Sequence, residues 1–257
     1  MNRDRLENLF DMTGRVVVIT GGTRGIGRAL AEGYAQAGAR VVVASRNKDA
    51  CAETESHLRA MGGEALGVAA DVGDLEDVGR IIERAIERFD TIDVLVNNAA
   101  LGGQHTVGTF TPEEWETMFH VNVRGPVFLM HAALPHLKSS PHAAILNIIS
   151  AAAFLNSRWF PIYGPTKAAL LGHTRAAAAE LAQYGIRVNA IAPGPFATDI
   201  LMSEPEEIQR FTAAATLLNR IADTDELIGP ALLLTSDAGS FITGQVLMVD
   251  GGMVVAR

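Results

Sequence analysis

The feature that most constrains the fold of this chain is a glycine-rich loop that follows a short apolar run. Residues 15–20 read "RVVVIT", and "TGGTRGIG" occupies residues 20–27, with Gly21, Gly25 and Gly27 inside it. Glycine allows the backbone to approach a phosphate closely, and the N-terminus of a helix presents unpaired N–H groups to an anion. A simple strand-to-helix turn needs only one glycine, so this loop favours a dinucleotide-binding βαβ unit.

Apolar runs and helical patterns alternate along the whole chain. We predict strands at residues 15–20, 39–45, 64–71, 92–99, 142–150, 186–194 and 244–252. We predict helices at residues 26–38, 48–61, 74–89 and 161–184, with one or two more in 112–138 and two in 203–236. Such alternation predicts an α/β fold: a single-domain Rossmann-like doubly wound parallel sheet of about seven strands with helices on both faces. We expect one domain over residues 1–257, with a cofactor half at about 14–150 and a catalytic and substrate half at about 151–257.

The composition argues against several classes of partner. The formal net charge is −8 and no run of basic residues occurs, which disfavours nucleic-acid and anionic-membrane surfaces. No stretch approaches the ~20 apolar residues of a membrane span, and the charged N-terminus lacks the apolar core of a signal peptide. The lone cysteine, Cys51, fits a reducing compartment, and the seven histidines show no metal-ligand spacing. We expect a cytoplasmic protein without a metal site.

The end of the second predicted strand indicates which dinucleotide the loop binds. An acidic residue about 20 residues after the glycine loop would bond the ribose 2′-hydroxyl of NAD. This chain has "ASRN" there, with Ser45, Arg46 and Asn47 and no carboxylate. A guanidinium and a hydroxyl suit a 2′-phosphate, and Arg24 in the glycine loop could add a second cation. We therefore expect NADP(H) rather than NAD(H); the alternative is that both arginines are solvated surface residues.

A phenol and an ammonium stand four residues apart in "YGPTK", residues 163–167. On a helix this spacing places Tyr163 and Lys167 on one face. A free tyrosine has a pKa of ~10, and a cation near 4 Å at an effective dielectric of ~20 supplies about 4 kcal/mol. Lys167 is therefore of the right size to bring the pKa of Tyr163 into working range beside a carbonyl substrate and a cofactor. The alternative is a surface pair beside a half-buried ring.

The chain resembles the short-chain dehydrogenases/reductases over essentially its whole length. The matching segments are "TGGTRGIG" (20–27), "ADV" (70–72), "NNAA" (97–100), "HVNVRG" (120–125), "NIISAAA" (147–153), "YGPTK" (163–167), "RVNAIAPGPFAT" (187–198) and "FITGQVLMVDGG" (241–252). They occur in the family's order and at its separations. The members that look most similar are the β-ketoacyl-acyl-carrier-protein reductases, although these motifs do not single out that activity.

The resemblance implies the residues of a complete active site. Asn122, Ser150, Tyr163 and Lys167 match the family's catalytic tetrad. It implies that Tyr163 exchanges the substrate proton, Ser150 holds the substrate oxygen, Lys167 lowers the pKa of Tyr163 and bonds the nicotinamide ribose, and Asn122 anchors a water that resupplies protons. The expected cofactor-binding set is Gly21, Thr23, Arg24, Gly25, Ile26, Gly27, Ser45, Arg46, Asn47, Asp71, Val72, Asn97, Ala99, Tyr163, Lys167, Pro193, Gly194 and Thr198. Within it Asp71 and Val72 flank the adenine, Asn97 holds the central strand and the cofactor, and Thr198 contacts the carboxamide.

Two positions depart from the family pattern. "NNAA" ends on Ala100 where the family usually has glycine, so a methyl group would tighten the space near the cofactor. Pro165 lies inside the tyrosine motif, and proline is tolerated only in the first turn of a helix. We therefore expect that helix to begin close to Pro161.

The substrate is expected to lie over Ser150 and Tyr163. The predicted contacts are Ser150, Ala152, Trp159, Tyr163, Phe196 and Leu201, with Trp159 equally compatible with a core position. Apolar side chains dominate the segments expected to line this site, residues 101–103, 152–160 and 195–202, and Arg158 is their only cation. We expect an apolar or acyl-type ketone, including a thioester-linked one, beneath a mobile lid at 195–215; a sugar-acid or secondary-alcohol substrate is the alternative.

Assembly and two other functions complete the sequence-based expectations. Gly164, Ala168, Gly172 and Ala176 form a stripe of small residues, which suits either a helix packed on its own sheet or, by family resemblance, a homotetramer interface. A non-catalytic dinucleotide sensor would be favoured by loss of Tyr163 or Lys167, and both are present. Epimerases and dehydratases of the extended group are typically longer, with a separate substrate domain.

Overall fold

The computed structural model describes residues 8–155 and 157–255, and its centre is one sheet of parallel strands. The spatial order is β3-β2-β1-β4-β5-β6-β7. The strands are β1 Val16–Thr20, β2 Arg40–Ser45, β3 Ala65–Ala69, β4 Val94–Asn97, β5 Ala144–Ile148, β6 Arg187–Pro193 and β7 Val246–Val249. The predicted α/β fold is therefore confirmed.

Helices connect the strands and cover both faces of the sheet. They are α1 Gly25–Gln36, α2 Lys48–Ala60, α3 Leu75–Phe89, α4 Pro112–Phe119, α5 Gly125–Leu137, α6 Tyr163–Leu181, α7 Asp199–Met202, α8 Glu206–Ala214 and α9 Ile228–Thr235. A π-helical segment, His120–Arg124, joins α4 to α5. No helix in the described parts of the chain is both long enough and apolar enough to cross a membrane.

The strands are apolar on both sides because the sheet is buried on both sides. Every residue of β1 and β5 is buried, as expected for central parallel strands. Helix α3 shows how one covering layer is encoded: Val78, Ile81, Ile82, Ala85 and Phe89 repeat at helical spacing and pack into the core beneath it. Asp74 begins this helix by accepting hydrogen bonds from the amides of Glu76 and Asp77.

The order of the strands reverses at β1, which pairs with β2 on one side and β4 on the other. Thr20 lies beside Ala44 of β2, and Ile19 lies beside Val96 of β4. In a doubly wound sheet this switch point opens a crevice at the carboxyl ends of the strands, where ligands bind. The glycine loop follows β1 directly, so it lies at the mouth of that crevice.

The tyrosine helix begins two residues later than predicted, whereas residues 203–236 contain the two helices that were predicted. The tyrosine helix, α6, begins at Tyr163 rather than near Pro161, and Pro165 lies in its first turn, where a missing N–H is tolerated. Residues 203–236 contain α8, a short 3₁₀ turn at Thr224–Leu227 and α9, with a loop between them. Packing between distant segments fixes the loop that precedes α9. Phe196 forms a parallel bridge with Ala222 in this loop, and both residues pack against the core.

Candidate active site

The glycine loop has the backbone geometry that only glycine adopts readily. Gly21 has φ +65° and Gly25 has φ +51°. A Cβ atom on Gly21 would lie 2.9 Å from Cα of Ala99, and one on Gly27 would strike the carbonyl oxygen of Gly21. Thr23 and Ile26 lie partly buried in the same loop and first helical turn. The loop therefore packs tightly on itself and turns into the N-terminus of α1, the arrangement that binds a pyrophosphate.

Asn98, which the sequence analysis did not select, holds this loop in place. Its Nδ2 donates to the carbonyl oxygens of Thr20 (2.9 Å) and Gly21 (3.1 Å). The Oγ1 of Thr20 accepts hydrogen bonds from the amides of Asn98 and Ala99, both at 3.1 Å. Asn98 follows the last residue of β4, and that position was the available signal.

Asn97 has a different role from the one predicted. Its side chain is buried, and its Nδ2 donates to Oδ1 of Asn147 at 2.8 Å, which links β4 to β5. The predicted contribution to the central strand therefore fits, but the cofactor loop is held by Asn98, one residue later. Ala100 is exposed, and the tightening of the cofactor space by its methyl group stays a prediction.

The segment after β6 approaches the glycine loop from the other side. The methyl group of Thr198 lies 3.3 Å from the Cβ position of Gly25. Pro193 is buried at the end of β6, and a Cβ on Gly194 would lie 2.6 Å from Cα of Asp250. These contacts bring the predicted carboxamide-binding residue beside the predicted phosphate loop.

The residues expected to select NADP lie at the end of β2 and, for Arg24, in the glycine loop. Arg24 and Arg46 are both exposed, and within residues 8–155 and 157–255 neither guanidinium has an ionic or hydrogen-bonded partner. Ser45 is partly buried. Asn47 caps α2, because its Oδ1 accepts from the amides of Asp49 (2.9 Å) and Ala50 (3.0 Å). The Asn47 side-chain oxygen is thus occupied by the helix cap, and cofactor binding by this residue stays a prediction.

The predicted adenine residues occupy the turn after β3. Asp71 accepts a hydrogen bond from the amide of Gly73 at 2.8 Å, and its own amide donates to Asp77 at 2.7 Å. Val72 is buried and forms part of the core. The turn is therefore fixed by its own hydrogen bonds before any ligand binds.

Ser150, Tyr163 and Lys167 meet at the carboxyl end of β5. Ser150 follows β5 and begins a short 3₁₀ turn, where its Oγ accepts from the amide of Ala152 at 3.1 Å. The hydroxyl of Ser150 is close enough to that of Tyr163 to affect its pKa. The Nζ of Lys167 lies 5.7 Å from the centroid of the Tyr163 ring and donates to the carbonyl oxygen of Ile148 at 2.9 Å. These three residues were predicted from the sequence to lie together, and their catalytic roles stay predictions.

The electrostatics of the cluster differ from the expectation. Burial raises the pKa of Tyr163 above its ordinary value, and the nearby hydroxyl of Ser150 opposes that rise. Burial lowers the pKa of Lys167 to about 8. Lys167 is not among the groups that shift the pKa of Tyr163 here, and its Nζ donates to a backbone carbonyl, so the lowering of that pKa by Lys167 stays a prediction.

Asn122 lies in the π-helical segment and is completely buried. Its Oδ1 accepts from the amide of Leu101, while its Nδ2 donates to the carbonyl of Leu101, both at 2.8 Å. The Nδ2 also donates to Oγ1 of Thr166 at 3.0 Å. Both amide hydrogens are used, so the side chain is not the group that would anchor a water. Single π turns inside helices occur often at functional sites.

The predicted substrate contacts divide into two groups. Ala152 and Leu201 are partly buried and Trp159 is 44% exposed, so Trp159 is not a core residue. Phe196, in contrast, is 4% exposed and packs in the core with the strands, so its prediction as a substrate contact is wrong. Its parallel bridge to Ala222 directs it inward, and no local pattern in the sequence indicates that long-range contact.

The loop that contains His105 borders the substrate side, and His105 was not among the predicted substrate contacts. The amide of His105 donates to the carbonyl of Trp159 at 3.0 Å, and the ring of Phe160 lies 5.9 Å from that of Tyr163. Arg158 places its guanidinium 4.4 Å from the centroid of Trp159. His105 therefore adds a polar group, beside the expected Arg158, to a region predicted to be mainly apolar.

The cluster can bind and protonate a carbonyl oxygen. Ser150 and Tyr163 offer two hydroxyl groups side by side, whereas a nucleophilic serine would need an adjacent base and Ser150 has a phenol there. This pair lies at the same edge of the sheet as a dinucleotide-type glycine loop. Such chemistry defines an oxidoreductase that acts on alcohols and ketones.

Comparison with known proteins places this oxidoreductase among its relatives. Residues 21–254 match the family model described as enoyl-(acyl carrier protein) reductase. L-Rhamnose 1-dehydrogenase (NAD(P)(+)) of Azotobacter vinelandii is 36% identical over 94% of this chain and 97% of its own. Gluconate 5-dehydrogenase of Gluconobacter oxydans is 34% identical over 97% of this chain and 98% of its own. The chain belongs to the short-chain dehydrogenase/reductase family.

A solved structure agrees with this assignment. The gluconate 5-dehydrogenase from Burkholderia cenocepacia J2315, in complex with NADP and tartrate, superposes with a TM-score of 0.92. It is 34% identical, and the match covers 98% of this chain and 100% of that one.

Proposed function

We propose that this chain is an NADP(H)-dependent dehydrogenase/reductase that interconverts a secondary alcohol and a ketone on a sugar or sugar acid. The observation that carries the proposal is the cluster of Ser150, Tyr163 and Lys167 at the carboxyl end of β5. When bound, the nicotinamide supplies or takes up the hydride. The protein chain supplies the proton, the position of the substrate oxygen and the closed surroundings.

Each member of the cluster has a distinct part. Tyr163 is protonated at neutral pH because burial raises its pKa, so it holds the proton that a ketone oxygen receives. Ser150 accepts from the amide of Ala152, which leaves its own hydroxyl hydrogen to donate to the same oxygen. Lys167, held by the carbonyl of Ile148, provides a positive group that stabilises negative charge developing on the Tyr163 oxygen.

The glycine loop and the two exposed arginines, Arg24 and Arg46, support NADP(H) as the cofactor. Side chains at Gly21, Gly25 and Gly27 would crowd neighbouring parts of the protein. With glycine there, the loop can turn tightly into α1, where the pyrophosphate would lie. Arg46 directly follows β2 and Arg24 lies in the glycine loop; both are exposed, and in the described part of the chain neither is neutralised by a carboxylate. A 2′-phosphate would satisfy both guanidinium groups.

Replacement of Arg46 tests this preference. We expect Arg46→Ala to raise the KM for NADPH by about 10- to 100-fold, because a charge-assisted hydrogen bond to phosphate is lost, and to leave the KM for NADH within about twofold. Steady-state kinetics with both cofactors measures the change. Lys48→Ala, which removes a neighbouring exposed cation, is the matched control. Equal effects of the two variants, or an equal rise in both KM values, would contradict the assignment.

The polar groups beside Trp159 support a hydroxylated substrate. Arg158 stacks over Trp159, and an aromatic face beside a cation suits the carbon face and carboxylate of a sugar acid. Sugar and sugar-acid dehydrogenases among the relatives point the same way. The second candidate is an apolar or acyl-type ketone, including a thioester-linked one, which the exposed Phe154, Ile200 and Met202 favour.

The deciding experiment is nicotinamide absorbance with a substrate panel. The panel contains gluconate, L-rhamnose and a keto-sugar acid, together with an acetoacetyl thioester and a bulky cyclic ketone. We expect turnover of a sugar or sugar acid; preference for the thioester or the cyclic ketone would move the assignment to the second candidate. Tight cofactor binding without any turnover would identify a non-catalytic sensor instead.

We also propose that the protein is a homotetramer, and its location in the cytoplasm stays a prediction. Ala168, Gly172 and Ala176 lie on the exposed face of α6, whereas Gly164 is buried, where a Cβ would lie 3.1 Å from the carbonyl oxygen of Ala152. We expect Gly172→Arg to lower the mass measured by analytical ultracentrifugation, because a long cation would separate packed helices. An unchanged mass, or a monomeric wild type, would contradict the proposal.

A further inference from the structure

Thr166 has a buried hydroxyl between the two residues that the proposed reaction uses on α6. Its side chain is completely shielded from solvent. Its Oγ1 donates to the carbonyl oxygen of Tyr163 at 2.7 Å and accepts a hydrogen bond from Nδ2 of Asn122 at 3.0 Å. One hydroxyl therefore joins the first turn of the tyrosine helix to the π-helical segment.

Asn122 extends this connection to the loop after β4. Its amide group makes a pair of hydrogen bonds with the backbone of Leu101, one accepted from the N–H and one donated to the carbonyl, both at 2.8 Å. A continuous path of hydrogen bonds thus runs from Leu101 through Asn122 and Thr166 to the backbone of Tyr163. It connects three segments that are far apart in sequence and that all border the active site.

We propose that Thr166 is a positioning residue for the oxidoreductase reaction: its hydroxyl fixes the first turn of α6 against Asn122, so that Tyr163 faces Ser150 in one orientation. The proposal rests on the proposed function, since it assumes that Tyr163 exchanges the proton. Thr166 does not itself touch the reacting atoms; it acts through the backbone of Tyr163 and through Asn122.

The chemistry at this position requires a hydroxyl group. Valine has nearly the shape of threonine, but it would leave an Nδ2 hydrogen of Asn122 without an acceptor inside the protein, which is unfavourable. It would also remove the bond to the Tyr163 carbonyl at the start of the helix, where Pro165 already lacks an N–H. Serine keeps both hydrogen bonds and loses only a methyl group.

Thr174, two turns further along α6, is a closely matched control. It is also completely buried, its Oγ1 donates to the carbonyl of Leu170 at 2.8 Å, and it accepts from Nδ2 of Asn147 at 2.9 Å. Its hydrogen bonds thus have the same pattern as those of Thr166, but they involve neither Asn122 nor Tyr163. A purely structural role would make the two threonines equivalent.

The experiment compares Thr166→Val, Thr166→Ser and Thr174→Val in the full-length enzyme. We expect Thr166→Val to lower kcat by roughly 10- to 100-fold, because small displacements of a reacting group have large effects, with KM and the Kd for NADPH within about twofold of wild type. Thr166→Ser should keep kcat within about threefold, and Thr174→Val should keep it while losing a similar amount of thermal stability. Equal kcat losses in the two valine variants, or no rescue by serine, would overturn the proposal.

A second measurement separates this proposal from the proposed function. If wild type shows no turnover on the substrate panel, the function fails, but the hydrogen-bonded path can still be tested by hydrogen exchange. We expect the amide of Leu101 to exchange faster in Thr166→Val than in wild type or Thr174→Val, because Asn122 loses its third anchor. Unchanged exchange at Leu101 would overturn the positioning role.

Discussion

Tyr163→Phe is expected to lower kcat by about 10²- to 10⁴-fold and to leave the Kd for NADPH within about twofold. The substitution removes a single oxygen, whose pKa is affected by the nearby hydroxyl of Ser150. Without it the substrate oxygen has no proton donor of suitable strength, whereas the ring still packs against Phe160. Steady-state kinetics and a fluorescence titration with NADPH measure the two quantities.

The pH dependence follows from the pKa of Tyr163. Because burial raises that pKa, the phenol stays protonated through the neutral range, and reduction of a ketone, which uses the protonated form, should be nearly independent of pH there. Oxidation of an alcohol uses the deprotonated form, so its rate should rise as the pH rises. Tyr184→Phe, at an exposed tyrosine, is the matched control and should leave both profiles unchanged.

A Tyr163→Phe enzyme with more than about a tenth of wild-type kcat would exclude Tyr163 as the main proton donor.

Lys167→Met is expected to abolish most activity and yet to stabilise the cofactor-free protein. Lys167 is 2% exposed, and its pKa is lowered from 10.5 to about 8 by burial. A difference of that size corresponds to about 3 kcal/mol of unfavourable free energy for burying the ammonium. Methionine fills a similar volume without charge, although the hydrogen bond to the carbonyl of Ile148 is lost. We expect the free energy of unfolding at pH 7 to rise by about 2 kcal/mol and kcat to fall by about 10²-fold or more.

The pH range of this effect is fixed by the two pKa values. Below pH 8 the lysine is charged in both the folded and the unfolded protein, and the full cost of burial is present. Between about 8 and 10.5 the unfolded chain binds more protons than the folded one, so that cost disappears as the pH rises. The stability advantage of Lys167→Met should therefore be greatest at neutral pH and small near pH 10.

Urea unfolding at fixed protein concentration, at several pH values, measures this advantage. Lys48→Met replaces an exposed lysine and should change stability little at any pH. A Lys167→Met protein that is less stable than wild type at pH 7 would show that the hydrogen bond to Ile148 outweighs the cost of burying the charge.

The sequence predicted those parts of the site that depend on local patterns. The apolar run of β1 and the glycines after it define a strand, a turn and a helix within about a dozen residues, so the phosphate loop could be located without knowledge of the rest. The spacing of Tyr163 and Lys167 places both side chains on one side of α6 for the same reason. The hydroxyl of Ser150 joins them because parallel strands end at one edge of the sheet.

The features that the sequence did not predict depend on contacts between distant segments. Asn97 and Asn98 are neighbours, yet one joins two strands and the other holds the glycine loop, because successive residues at the end of a strand point in different directions. Phe196 is buried only because residues after it return to form a bridge with Ala222. The pKa values of Tyr163 and Lys167 depend on how completely each is buried, and helical spacing carries no information about that.

The attachment of the glycine loop to Asn98 has a consequence for how the chain folds during synthesis. The loop follows β1, but the hydrogen bonds between Asn98 and the Thr20–Gly21 backbone span 77 and 78 residues. Until β4 has left the ribosome and paired with β1, the loop lacks the contacts that give it its shape, and closing such a long segment is a slow, late event. A nascent chain that ends before β4 should therefore have no competent nucleotide site, so the cofactor can assist folding only after β4 has paired with β1.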